Sequence, residues 1–486
     1  MQPDPSIPQR PTLAPPANET IVAISTPPGR GGIGIVRLSG PDAQFIAAPL
    51  LQLKHPWAHA QARYGAIVDQ GARLDECVVT LFRAPHSYTA EDVVEIAAHG
   101  SPVVLDLLVR RALEGGARLA RPGEFTERAF LQGRLDLTQA EAVRDLIEAQ
   151  TLYQARVAAE QLGGALSRRT QPIKEQLVAL IVLLEAGIDF AEDDIDVTPD
   201  AEISARIARI QAALEPVAAS FREGRLLHTG FSLAIVGRPN AGKSSLFNRL
   251  IDRERAIVTA TPGTTRDLVT ERIALGGIPL ELIDTAGLRE TADEAEFLGI
   301  EKTRGAIADA DAVLVVLDAT ASVPASVANT PVLDLSAEEA QLLEDLTGRP
   351  VLVALNKIDL LPPDLLLANP QTVAWTLPLG SVAPVIATSA VSGAGVDDLR
   401  ARILGRVRGG DRGESGGMLT SLRHFEAITR CLASLEAAQV AVASRTPHEM
   451  LLLDLYASLR ELDSLTGATT ADDILNRIFS TFCIGK

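Results

Sequence analysis

The nine residues 237–245 read GRPNAGKSS, a glycine-rich turn that ends in a lysine and two hydroxyls. They fit the pattern G-x-x-x-x-G-K-[ST] between an apolar run, SLAIVG (232–237), and a helix-like SLFNRLI. Such a turn aims the backbone N–H groups of 239–244, including Asn240, Ala241 and Gly242, at a phosphate on a helix N-terminus. Lys243 would then bridge the β- and γ-phosphates, and the Ser244 hydroxyl would sit on Mg²⁺, with Ser245 beside it. A glycine-rich strand-to-helix turn can also be bare, so the rest of the chain has to decide. It supplies DTAG (284–287) at the end of a second buried run. Asp284 there can hold Mg²⁺ through water, Thr285 and Ala286 continue the turn, and the Gly287 N–H can meet the γ-phosphate. NKID (356–359) closes another run. The Asp359 carboxylate can accept from the N1–H and N2–H₂ edge of guanine, with Asn356 nearby and the Lys357 stem over the base. Adenine lacks that donor pair, so the arrangement selects guanine. Ser389 and Ala390 end the last run, where a backbone N–H can reach guanine O6. The expected nucleotide is GTP.

In this order and strand context the motifs resemble those of the translation-factor class of small GTPases. Thr264 and Thr265, within TPGTTRD (261–267), fall where such proteins carry a switch threonine, and Thr265 is the expected Mg²⁺ ligand. A plain turn after Pro262-Gly263 is the bland alternative. Ras-like proteins follow DxxG with a glutamine that orients the attacking water, whereas this chain has Leu288. Another group must align that water and neutralise charge in the transition state. An arginine finger from a partner, or a monovalent cation with an acid further along, would serve.

These loops need a frame, and the wider sequence describes it. At 486 residues the chain exceeds one hydrophobic core, so several domains are expected. Aromatics make up only 4% of it, which favours helices and parallel sheet over an aromatic-rich sandwich. The formal net charge of −17 argues against a whole surface that attracts nucleic acid. Three cysteines, Cys77, Cys431 and Cys483, give no disulfide framework and suit a reducing cytoplasm. No signal peptide is recognised, and no apolar run is long enough for a bilayer, so no membrane association is expected.

Residues 1–18 read as a disordered Pro-rich tail, and 19–136 as an α+β domain with strand-like runs at 62–69 and 75–82 and a helix at 101–114. From 137 to 228 the period is helical, broken at 189–200. Residues 229–404 alternate five buried runs with helical patterns, as a mostly parallel α/β sheet does, with 267–277 as an added hairpin strand. A Gly-rich linker and a second helical half fill 405–486. The expected fold is therefore multidomain: an α+β domain, a discontinuous helical bundle, and an inserted Ras-like P-loop domain.

The ending Phe482-Cys-Ile-Gly-Lys486, with TPPGRGGIGIVRLSG, PGEFTERAFLQGRLDL and GRPNAGKSS, closely resembles the MnmE (TrmE) family of tRNA wobble-uridine modification GTPases. The resemblance runs from about Thr20 to the end. It implies an N-terminal folate-binding domain that makes a homodimer, and G domains that pair across the nucleotides when K⁺ binds. Asn240 matches the family's potassium ligand; Thr259, Thr261 and Thr264 match its potassium loop, and Thr259 and Thr264 also border the nucleotide. Glu296 matches the acid that positions water, although by pattern alone it is a solvated glutamate. Cys483 matches a cysteine of the modification reaction. It can also be read as a buried small hydrophobe, and it stands in formal prenylation register, which Gly485 and Lys486 fit poorly.

Arg37, Glu95, Arg134 and Lys486 match the folate positions, with Glu91 an alternative to Glu95. Arg134 replaces a common lysine, and Ser101 stands where glycine is frequent. The resemblance further implies 5-formyltetrahydrofolate or methylenetetrahydrofolate as one-carbon donor. It also implies an FAD-containing MnmG (GidA)-type partner, and tRNA as substrate. A regulatory GTPase switch without modification chemistry is the alternative, and it has no use for the folate-like segment or FCIGK. A folate scaffold with a vestigial GTPase fits less well, because every nucleotide motif is intact.

Overall fold

The computed structural model describes residues 19–189, 199–251, 269–284, 310–322, 333–361, 385–408, 417–468, 478–482 and 485. The first strands are β1 (Ile21–Ile24), β2 (Gly31–Ser39), β3 (Leu51–Leu53), β4 (Ala62–Asp69), β5 (Ala72–Phe82) and β6 (Val93–Gly100), followed by β7 (Arg118–Leu119). They form a seven-stranded sheet in the order β3-β4-β5-β6-β2-β1-β7. Helices α1 (Ala43–Ala47) and α2 (Pro102–Glu114) accompany it. Along β5 the side chains alternate, so Cys77, Val79 and Leu81 are buried while Glu76 and Val78 are exposed. One face of the strand thus joins a core with Val36, Leu38, Ile96 and Leu108. The β2–β6 register sets Arg37 directly opposite Glu95.

Helix α3 (Glu124–Leu131) starts at Gly123, whose φ of 68° is left-handed. Its first residue, Glu124, is fully buried, yet Arg118 Nη2 reaches it at 2.6 Å, Arg128 Nη2 at 3.2 Å and the Arg121 N–H at 2.8 Å. Burial pushes the Glu124 carboxyl up. The bonds from Arg118 and Arg121 and the charges of Arg118 and Arg128 outweigh that, bringing it to about 2. A charge so buried needs all these partners.

Helices α4 (Leu137–Glu148), α5 (Leu152–Leu162), α6 (Ala165–Asp189), α7 (Asp200–Ala219) and α8 (Phe221–Thr229) follow. After the α/β region come α13 (Leu422–Ala443) and α14 (His448–Thr466). Helices α6 and α14 pack together; Lys174 meets Asp463 at 2.5 Å, and Tyr456 hydrogen-bonds Glu185 further along. These two ties rise along one helix as they fall along the other, so the pair is antiparallel. Leu177, Leu180 and Leu184 are buried on α6, and Leu451, Leu455 and Leu462 on α14. Near the C-terminus, Ile478, Phe479 and Phe482 pack with Leu137, Ala140 and Val143.

The α/β region holds β8 (Phe231–Val236), α9 (Lys243–Ile251), β9 (Val269–Leu275), β10 (Ile278–Asp284) and β11 (Ala312–Asp318). The short α10 (Ala319–Ser322), α11 (Ala337–Asp345), β12 (Val351–Asn356), β13 (Val385–Ala387) and α12 (Val396–Arg408) complete it. Its six-stranded sheet has the order β13-β12-β11-β8-β10-β9. All neighbours are parallel except the hairpin strand β9, which is antiparallel to β10. Strands buried on both faces read as continuous apolar runs, and β11 (AVLVVLD) is one. Helix α11 opens with a reciprocal capping box between Ser336 and Glu339. This multidomain fold combines an α+β domain, a discontinuous helical bundle and an inserted P-loop domain. Among the described residues, no helix is long and apolar enough to cross a membrane.

Candidate functional site

Chain direction explains why the nucleotide motifs meet. β8, β10, β11 and β12 are parallel, so their carboxyl ends share one edge of the sheet. The P-loop leaves β8 there, Asp284 ends β10, and Asn356 ends β12. This is the edge at which open α/β sheets bind ligands. Three residues with positive φ shape the P-loop: Gly237 at 147°, Asn240 at 63° and Gly242 at 92°. A Cβ at Gly242 would overlap the Asn356 amide, so only glycine fits this close approach. Asn240, Ser244 and Ser245 are exposed, while Ala241 is buried beneath them.

Asn356 is a buried clasp between three loops. Its Nδ2 donates to the Ala241 carbonyl at 3.1 Å, and its Oδ1 accepts from the Ala390 N–H at 3.1 Å. The P-loop and the Ser389-Ala390 turn are thereby fixed to one side chain. Ser389 is fully buried, and its Oγ accepts from the Ser392 N–H at 3.0 Å. Lys357 adopts a left-handed φ of 66° and extends to Asp318 Oδ2 at 2.6 Å. Asp318 Oδ1 accepts from the Thr320 N–H at 3.0 Å and from its hydroxyl at 2.7 Å. Partial burial raises the Asp318 carboxyl, but the Lys357 and Thr320 bonds carry it below the usual carboxylate range. Asp318 was not among the residues expected from sequence. Its position at the end of the apolar run AVLVVLD, level with the other motif residues, was the available signal. Asp359 stands exposed in the 3₁₀ turn Ile358–Leu360.

Lys243 begins α9, mostly buried, with Nζ donating to the Gly237 and Arg238 carbonyls at 2.8 Å each. Burial pushes its ammonium down, against the opposing charge of Asp284. The Ser244 hydroxyl and Asp284 carboxylate are hard oxygen donors of the kind Mg²⁺ takes. Thr259, Thr261, Thr264, Thr265, Thr285, Ala286, Gly287, Leu288 and Glu296 lie outside the described residues.

The α+β domain carries a second set of expected residues. Arg37, Glu95 and Arg134 line one cavity of about 500 Å³ with Tyr88 and His86. Arg37 Nη2 meets Glu95 Oε1 at 2.7 Å, and its guanidinium lies over the rings of Tyr88 at 5.5 Å and Phe125 at 5.6 Å. Arg134 covers Tyr88 at 5.2 Å and donates to the Tyr88 carbonyl at 2.7 Å. Tyr88 is thus flanked by two guanidinium groups, a role that sequence reasoning missed. Glu91 is engaged elsewhere, accepting from Arg128 at 2.9 Å and from the Ser39 hydroxyl at 2.7 Å. The Gly485 carbonyl accepts from Arg37 Nη1 at 3.4 Å, which ties Gly485 to a residue of this cavity's lining. Cys483 and Lys486 lie outside the described residues. The arrangement suits a flat, hydrogen-bonding ring system with carboxylates: guanidinium groups for the acids, Glu95 for N–H donors.

Comparison with known proteins finds relatives over nearly the whole chain. The profile described as "MnmE helical domain" matches residues 137–483, and that described as "GTP-binding protein TrmE N-terminus" matches residues 20–134. A relative from Koribacter versatilis, named tRNA modification GTPase MnmE, is 56% identical over 96% of this chain and 99% of its own length. One of the same name from Pseudomonas aeruginosa (strain UCBPP-PA14) is 44% identical over 97% of this chain and 99% of its own length. With matches over nearly its whole length, the chain belongs to the MnmE family of tRNA modification GTPases, enzymes that hydrolyse GTP.

Proposed function

We propose that the chain is a potassium-activated GTPase that works with an FAD-dependent, MnmG (GidA)-type partner. Together they modify C5 of the wobble uridine of certain tRNAs, using a tetrahydrofolate one-carbon donor. The observation that carries this reading is the cavity around Arg37, Glu95 and Arg134, whose Arg37 also donates to the Gly485 carbonyl. In a folate, the glutamate carboxylates would meet Arg37 or Arg134, and Glu95 would take the pterin N–H edge. The donor, 5-formyl- or methylenetetrahydrofolate, would supply the carbon, and Cys483 would act two residues from Gly485.

In the G domain, Lys243 and the P-loop amides would hold the β- and γ-phosphates. Ser244 and Thr265 would ligate Mg²⁺. Asn240, with Thr259, Thr261 and Thr264, would hold K⁺ as two G domains of a homodimer pair across their nucleotides. Glu296 would then orient water, a task that Leu288 cannot perform. The proposed partition follows the sequence: 19–136 binds folate, 229–404 binds nucleotide, and 137–228 with 405–486 makes the helical domain.

Two measurements on the purified chain test this. Titration with 5-formyltetrahydrofolate should show one site per chain, weakened about tenfold or more by Arg134→Ala, from the loss of one charge-assisted bond. Absence of saturable binding would refute the folate part. Steady-state GTP hydrolysis should be faster in KCl than in NaCl, and the difference should vanish with Asn240→Ala. Equal rates in both salts would refute potassium activation.

A further inference from the structure

A cavity of about 610 Å³ opens at the other edge of the six-stranded sheet. Phe231 begins β8, Asp311 directly precedes β11 and Pro350 directly precedes β12, and all three line it. The nucleotide motifs lie at the opposite ends of these strands. Six residues of strand put the two regions about 20 Å apart. The remaining wall comes from α7, α8, α12 and α13, where the chain enters and leaves the α/β region.

The lining has a definite chemistry. The rings of Phe221 and Phe425, both in the lining, stack on each other at 4.3 Å with an 11° tilt. Two exposed arginines, Arg225 on α8 and Arg406 on α12, also line the cavity, and neither pairs with a carboxylate among the described residues. The acid in the described lining, Asp311, is already occupied. Its Oδ2 accepts from the Ser232 N–H at 2.9 Å and from the Ser232 hydroxyl at 2.8 Å. The volume lies within the range of small-molecule sites, which are mostly apolar with a few placed polar groups.

We propose that this cavity binds a small molecule with a flat aromatic body and one anionic group, such as a carboxylate. The ring would lie against the Phe221–Phe425 stack, where aromatic rings favour offset or edge contacts. The anion would meet Arg225 or Arg406, whose planar guanidinium matches carboxylate or phosphate. This site is separate from the nucleotide and from the cavity at Arg37, and its ligand is distinct from both.

The test titrates the full chain with 2-naphthoate, followed by calorimetry. Saturable binding at one site per chain is expected. The double variant Arg225→Ala/Arg406→Ala should weaken it at least tenfold with an unchanged melting temperature, since both side chains are exposed. Neutral 2-naphthamide should bind the parent chain at least tenfold more weakly. Ala219→Trp, which fills the cavity without altering charge, should abolish binding. Arg134→Ala should leave it unchanged, which separates this site from the α+β cavity. No saturable binding, affinity that survives the double arginine variant, or affinity that is lost with Arg134→Ala would each overturn the proposal.

Discussion

At the residue scale, the proposed base selection would rest on Asp359, exposed just beyond Asn356 and Lys357, whose side chains are both held by partners. A carboxylate offers two acceptors to the N1–H and N2–H₂ edge of guanine. An amide offers one acceptor and one donor, which matches the N1–H and C2 carbonyl of xanthine. Asp359→Asn should therefore weaken GTP binding by about a hundredfold or more, because a matched polar edge is lost. It should gain hydrolysis of xanthosine triphosphate; unchanged GTP affinity would contradict this role. Thiol chemistry can be narrowed by the same reasoning. Cys77 and Cys431 are buried, and burial pushes their thiols up to about 11 and about 12. Neither supplies thiolate near neutrality, which leaves Cys483 for any thiol step. The gathering of the P-loop, Asp284 and Asn356 at one sheet edge was legible, because each stands at the end of an apolar run. Tyr88 and Asp318 were not, because each acts through a neighbour distant in sequence, Arg37 at 5.5 Å and Lys357 at 2.6 Å.

At the element scale, α9 carries the P-loop at its start and is secured at its end by another helix. Arg400 on α12 donates through Nη2 to the Arg249 and Leu250 carbonyls at 3.0 Å each. Those carbonyls belong to the last turn, where no intrahelical partner remains. Arg400→Met keeps most of the side-chain volume and deletes both bonds. Urea unfolding of the variant should show a loss of about 2 kcal/mol, the scale of charge-assisted bonds. An unmoved transition would mean that the cap contributes nothing. The buried strands of the α/β sheet were readable as short apolar runs between helical patterns, and β9 as an added hairpin strand. β6 was not, because VVEIAAHG mixes two alanines and a glutamate into a strand whose fit depends on its place between β5 and β2. β3 is three residues long, too short for a period to register.

At the scale of the whole molecule, the net charge of −17 opposes a broad phosphate-binding surface. The chain alone should bind tRNA more weakly than about 1 µM at physiological salt, within the nonspecific range. Affinity should rise when the proposed flavoprotein partner is added; tight, salt-sensitive binding by the chain alone would contradict this. The discontinuous bundle has a different consequence, for synthesis on the ribosome. Helix α6 ends at Asp189, and its antiparallel neighbour α14 begins only at His448. At 5–20 residues per second, roughly ten to fifty seconds separate the emergence of the two helices. Throughout that interval Leu177, Leu180 and Leu184 lack the α14 surface they later pack beside, while the whole α/β region is translated and begins to fold between them. The bundle is therefore completed only after the insert has been synthesised, and until then the α14-facing side of α6 has no α14 to cover it.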